Sequence, residues 1–168
     1  GDLPAEERDL YLKAAPWKQT DLEPELSVAR MAELAEREQF ILTLTANGYG
    51  KRTSSFEYRR TGRGGQGLWN VDSDADKRGR IGHVVTVGPI QQESQIMLMT
   101  DQGQVIRTGV DDIRIAGRAT LGVRVFRVGE DERVVSAAKI EDLDGNGAAG
   151  EEDEPGIDSD DPDGPAPA

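Results

Sequence analysis

The chain has 168 residues, enough for one ordinary domain, and its lack of cysteine and single histidine (His83) exclude disulfides, cysteine zinc sites and histidine-rich metal centres. No apolar run approaches the roughly 18 residues a membrane span needs, and the opening GDLPAEERDLYLK is acidic, without the hydrophobic stretch of a signal peptide. The net charge of -12 is unevenly divided: residues 1–40 carry 5 basic and 10 acidic side chains, residues 41–140 carry 15 and 11, and residues 141–168 carry no basic and 11 acidic ones.

A mildly basic body therefore sits between two acidic flanks, and 12 of its 15 basic residues are arginine, whose planar fork suits phosphate oxygens. No membrane partner is expected. The chain opens on glycine rather than methionine, and we read it as a piece of something longer.

Residues 5–13 read as a short helix that Pro16 ends, and residues 14–24 as a connector. Over residues 25–39, ELSVARMAELAEREQ, the positions Leu26, Met31, Leu34 and Ala35 follow a loose helical period. Residues 1–39 are thus expected to form an acidic, partly helical linker.

From residue 40 the pattern becomes β. ILTLT is a strand, ANGYG a turn with Gly48 at positive φ, and GKRTS the returning strand. GLWNV (67–71) is assigned as a third strand, KRGR as a charged turn and HVVTV (83–87) as a fourth strand. The pattern then recurs: IMLMT, the turn DQGQV with Gly103, VIRTG, GVRVF (122–126), GEDER and RVVSA. Shifting residues 41–71 by 55 onto residues 96–126 matches 9 of 31 positions without a gap, including Arg52/Arg107, Arg59/Arg114, Gly62/Gly117, Arg63/Arg118 and Gly67/Gly122. Four strands in about 50–55 residues make a propeller-type blade. The expected class is all-β, with blades at 40–89 and 90–140. Two blades do not close a ring. Residues 141–168, rich in Gly, Pro, Asp and Glu, cannot offset the entropy of ordering and are expected to be a disordered acidic tail.

Two motifs compete for attention. TGRGGQGLWNV contains G-x-G-x-x-G at Gly62, Gly64 and Gly67, yet no amphipathic helix follows, and the second copy, AGRATLG, lacks two of the glycines. A structural loop with an arginine at its tip is the better reading. Asp142, Asp144 and Asn146 fit the first half of a calcium loop, but position 12 is Asp153 and the flanks show no helices. An alternative reading is accordingly a β-repeat protein-interaction module with a calcium-binding tail.

Residues 40–140 carry a resemblance. NGYGKRT, IMLMTDxG, IRT, IRIAGR and GVxVF, in that order, resemble the last two blades of the C-terminal domain of bacterial DNA gyrase A; the related C-terminal domain of topoisomerase IV is the nearest alternative. The resemblance implies two four-stranded blades of a six-bladed β-pinwheel that wraps DNA around its outer rim in support of ATP-dependent negative supercoiling. It implies duplex DNA, gyrase B and the remainder of gyrase A in an A2B2 heterotetramer as partners, in the cytoplasm on the bacterial chromosome. ATP and magnesium would belong to the holoenzyme, with no cofactor in this chain. The wrapping box of the family's first blade is absent, and Tyr11, Tyr49 and Tyr58 lack the context of a breakage-reunion tyrosine, so no catalytic residue is assigned. The DNA-facing set consists of the repeating Arg52, Arg59, Arg63, Arg107, Arg114 and Arg118, with Lys51, Arg60 and Arg124. Tyr49, Phe56, Trp69 and Phe126 are assigned to the core.

Overall fold

A computed structural model describes residues 3–72, 76 and 79–140. The acidic segment 141–168, with its calcium-loop motif, lies outside them. Two helices come first, α1 (Ala5–Lys13) and α2 (Val28–Arg37). Seven strands follow among the described residues: β1 (Phe40–Thr45), β2 (Tyr49–Ser54), β3 (Val84–Ile90), β4 (Gln95–Thr100), β5 (Val105–Gly109), β6 (Val123–Arg124) and β7 (Val134–Ile140).

The strands form two antiparallel sheets, ordered β3-β1-β2-β6 and β5-β4-β7. Their facing sides share one core of Leu42, Leu44, Ile90, Ile96, Leu98, Val110, Ile113 and Val134. The hairpin turns are as the sequence implies: Gly48 has φ +76° and Gly103 φ +81°.

The third strands differ from expectation. Residues 67–71 form no strand, and of 122–126 only Val123–Arg124 does. That strand does not join its own repeat. It pairs with Tyr49–Gly50 of β2, so the second repeat supplies the outer strand of the first repeat's sheet. Just before it, residues 114–116 run parallel to β2: Arg52 donates its N–H to the Arg114 carbonyl at 3.0 Å and accepts from Ala116 N–H at 2.8 Å. Local pattern cannot show this exchange, because alternation marks a strand but does not say which neighbour it joins. Trp69, assigned to the core, is 75% exposed.

The N-terminal segment is more than a linker. Ser27 caps α2, its hydroxyl accepting from Arg30 N–H at 3.3 Å, a contact of about 1 kcal/mol. Met31 and Leu34 of that helix, with Tyr11 and Ala15, make a second small core. Phe56 and Phe40 join it to the first sheet: Tyr11 meets Phe56 edge-on at 5.4 Å, and Trp17 meets Phe40 at 6.5 Å. Glu38 closes the junction, accepting from the Tyr11 hydroxyl at 2.8 Å and from Trp17 Nε1 at 3.0 Å. Burial, then this carboxylate, pushes the Tyr11 phenol pKa upward.

Candidate nucleic-acid interface

The nine cationic residues singled out in the sequence fall into distinct settings. Lys51 and Arg52 do not face outward as expected. They are 1% and 6% exposed, too buried to meet a phosphate backbone. The Lys51 ammonium donates to the carbonyls of Asn70 (2.7 Å), Gly117 (3.2 Å), Thr120 (2.8 Å) and Arg118, tying the crossing segment of the second repeat to β2. Desolvation pushes its pKa down to about 8. Arg52 donates from Nε to the Ile113 carbonyl at 2.6 Å and lies 3.7 Å from the Asp111 carboxylate.

The repeat itself holds a sign of this. The position equivalent to Lys51 is Ile106, and those equivalent to Thr43, Tyr58 and Asn70 are Leu98, Ile113 and Val125. In the first repeat these four residues make a polar cluster, with Tyr58 donating to the Asn70 amide oxygen and Asn70 Nδ2 donating to Thr43 at 2.9 Å. In the second repeat the same positions belong to the shared hydrophobic core or pack against it. A residue whose repeat partner is a core isoleucine faces inward.

The remaining seven arginines reach the surface. Arg59, Arg60 and Arg63 are exposed on or just before the 61–67 loop, and Arg114 is exposed ahead of the exchanged strand. Among the described residues, the side chains of Arg59, Arg63 and Arg114 make no hydrogen bond or ion pair. Arg118 is half-buried and anchored: its backbone N–H donates to Glu57 at 2.6 Å and its guanidinium donates to the Trp69 carbonyl. Arg107 is exposed on β5, with Nε donating to Gln95. Arg124 lies over the Tyr49 ring, 5.3 Å from its centroid, and donates to its hydroxyl at 3.1 Å.

The structure brings Arg59 and Arg118 to one open notch of about 460 Å³. There they meet Arg8 of α1, which no recurrence or motif marks in the sequence, together with Asp9 and Glu57. Arg114 instead faces a wider cleft of about 810 Å³, beside Lys18 and above the buried Arg52. The arginines therefore form several patches rather than one row. Exposed guanidiniums without carboxylate partners suit polyanion binding, because phosphate displaces only water and counterions.

The described residues build neither a nucleotide cradle nor a metal centre. The glycine motif at 62–67 lies in an exposed loop with no helix after it. Among the described residues, no group of three or more His, Cys, Asp or Glu side chains converges to hold a metal ion. No described helix is long and apolar enough to cross a membrane.

The family model described as DNA gyrase C-terminal domain, beta-propeller, matches residues 39–77 and 94–141. The DNA gyrase A protein of Rickettsia prowazekii (strain Madrid E) is 38% identical over 167 residues, a match that takes in 92% of this chain and 18% of that protein. The chain thus spans under one fifth of this relative's length. Among solved structures, a DNA gyrase A C-terminal domain superposes with a TM-score of 0.56 at 22% identity, over 63% of this chain and 35% of that one. The C-terminal domain of a DNA topoisomerase IV gives 0.54 at 23% identity, over 61% and 31%. At those identities the two structures speak to the fold alone.

Proposed function

The chain belongs to the DNA gyrase C-terminal domain family, and from that premise we propose that it is the duplex-wrapping end of a gyrase A protein, acting within a type IIA topoisomerase that introduces negative supercoils. One observation carries the reading: exposed arginines without carboxylate partners among the described residues (Arg59, Arg63 and Arg114) stand on the two-sheet scaffold. Phosphate contacts supply affinity without reading sequence, and an array of them on a curved rim favours a bent duplex. The blades would span residues 40–89 and 90–140. The partners would be gyrase B and the rest of gyrase A, in an A2B2 assembly on the chromosome in the cytoplasm. ATP and magnesium would act elsewhere in that assembly.

Topoisomerase IV is not preferred. Its likeness here is one of fold, whereas the substantial sequence identity is to a DNA gyrase A protein. The test is duplex affinity across a salt series on two unrelated sequences. Equal affinities that fall steeply with salt are expected. Salt-insensitive or absent binding refutes the reading.

A further inference from the structure

The turn between β1 and β2 is clasped by the second repeat. Val125 and Phe126 donate backbone N–H groups to the Gly48 carbonyl at 2.9 and 3.3 Å, and Val134 donates to the Ala46 carbonyl at 2.9 Å. This clasp brings four exposed arginines to one small cleft of about 230 Å³. Arg80 comes from the loop before β3, Arg124 from β6, and Arg127 and Arg133 from the loop before β7.

Most of their partners fix the guanidiniums without neutralising them. Arg124 is held by the Tyr49 ring and hydroxyl. Arg133 donates to the backbone carbonyls of Glu130 (3.2 Å) and Glu132 (2.7 Å). Arg127 makes no side-chain hydrogen bond or ion pair among the described residues. Of the four guanidiniums, only that of Arg80 makes an ion pair among the described residues, 3.8 Å from Asp76. Of the other acids, Glu130 lines the cleft, and Asp101 accepts from the Arg133 backbone N–H at 2.9 Å. Glu132 is turned inward, accepting from the Thr100 hydroxyl (2.5 Å) and Gly129 N–H (2.9 Å). Positive charge outweighs negative in the cleft, and two of the side chains that carry it, Arg124 and Arg133, are already held in place.

The cluster also has a definite place relative to the other arginines. It sits at the turn end of the β1–β2 hairpin, while the 59–63 loop follows the opposite end, where Phe40 pairs with Ser54. The six residues of β1, rising about 3.3 Å each, separate its two ends by about 17 Å. That distance is about five base-pair steps of duplex.

We propose that Arg80, Arg124, Arg127 and Arg133 form a second contact site for duplex phosphates, at the seam between the repeats. The proposal rests on the duplex-binding reading above. The site is a product of strand exchange and does not recur: the positions equivalent to Arg124 and Arg133 are Trp69 and His83. Selecting arginines by recurrence therefore passes over all four members.

The test uses the intact protein with duplex DNA over a salt series. Arg127→Gln and the double variant Arg127→Gln/Arg133→Gln are expected to lower the slope of log K against log salt by about 0.9 per arginine. The matching lysine variants should keep the slope. Arg127 has no intramolecular partner to lose among the described residues, so its single variant reports on binding even if the double variant is less stable. If both glutamine variants keep the wild-type slope while Arg63→Gln lowers it, the seam site is overturned and duplex binding stands. If the wild-type protein shows no salt-dependent duplex binding, the underlying reading falls, and this proposal with it.

Discussion

Gly48 and Gly103 occupy equivalent turns with nearly the same backbone, φ +76° and +81°, yet their surroundings differ sharply. A Cβ at Gly48 would lie 2.5 Å from the Phe126 carbonyl oxygen, whereas a Cβ at Gly103 would meet nothing within 4 Å. Left-handed backbone costs a non-glycine residue about 1–2 kcal/mol. Removing glycine from the unfolded chain returns about 0.4–1 kcal/mol. Gly103→Ala should therefore lose about 1 kcal/mol. Gly48→Ala carries the same strain and must also push back the Phe126 backbone, which the exchanged segment holds through two bonds to the Gly48 carbonyl. Breaking one such bond costs about 1 kcal/mol, and partial loss of Phe126 packing costs at least as much again. A total of about 3 kcal/mol is expected. Urea unfolding with a common m-value measures both losses. Equal losses, or a larger one at Gly103, would refute the claim that the clasp between the repeats makes the first turn intolerant.

Three further outcomes follow from the same geometry. Because burial holds the Lys51 ammonium down to about 8, the folded protein releases that proton before the unfolded chain does. Stability should therefore rise from about pH 8 to about pH 10, then fall as Tyr11 and Tyr58, whose pKa values are raised by burial, ionise more readily in the unfolded chain. A urea midpoint that fails to rise between about pH 7.5 and 9.5 contradicts this. Arg63→Ala should lower the salt slope of duplex binding by about one unit at unchanged stability, while Arg118→Ala, which also loses its bond to the Trp69 carbonyl, should lower both; slopes left at the wild-type value would make these residues structural. Deleting residues 141–168, with 11 acidic and no basic side chains, should tighten duplex binding, most at low salt, by removing a tethered polyanion; equal affinities at two salt concentrations would rule out that competition.

What the sequence made legible was local. The helix at 5–13, the hairpins and the positive-φ glycines depend on residues within a few positions of one another, and these stand where the pattern puts them. The exchange of Val123–Arg124 onto β2 was not legible, since a short apolar stretch fits either sheet edge. The clamp of Tyr11 and Trp17 on Glu38 was hidden for a similar reason, joining residues 27 and 21 positions apart. Among the candidate site residues, recurrence selected Arg59, Arg63 and Arg114, which are exposed, but it also selected Arg52, which is buried. Lys51 does not recur, and Ile106 at the equivalent position marks an inward-facing site. Arg80, Arg127 and Arg133 escaped because recurrence cannot find a cluster that only the seam assembles.

Wrapping is the central claim, and the linking number of DNA reports it most directly. A nicked circle sealed while bound to the intact gyrase A protein should shift its linking-number distribution in proportion to bound protein, and deletion of residues 40–140 should abolish or sharply reduce that shift. The same shift with and without these residues would show that the duplex is not wrapped here.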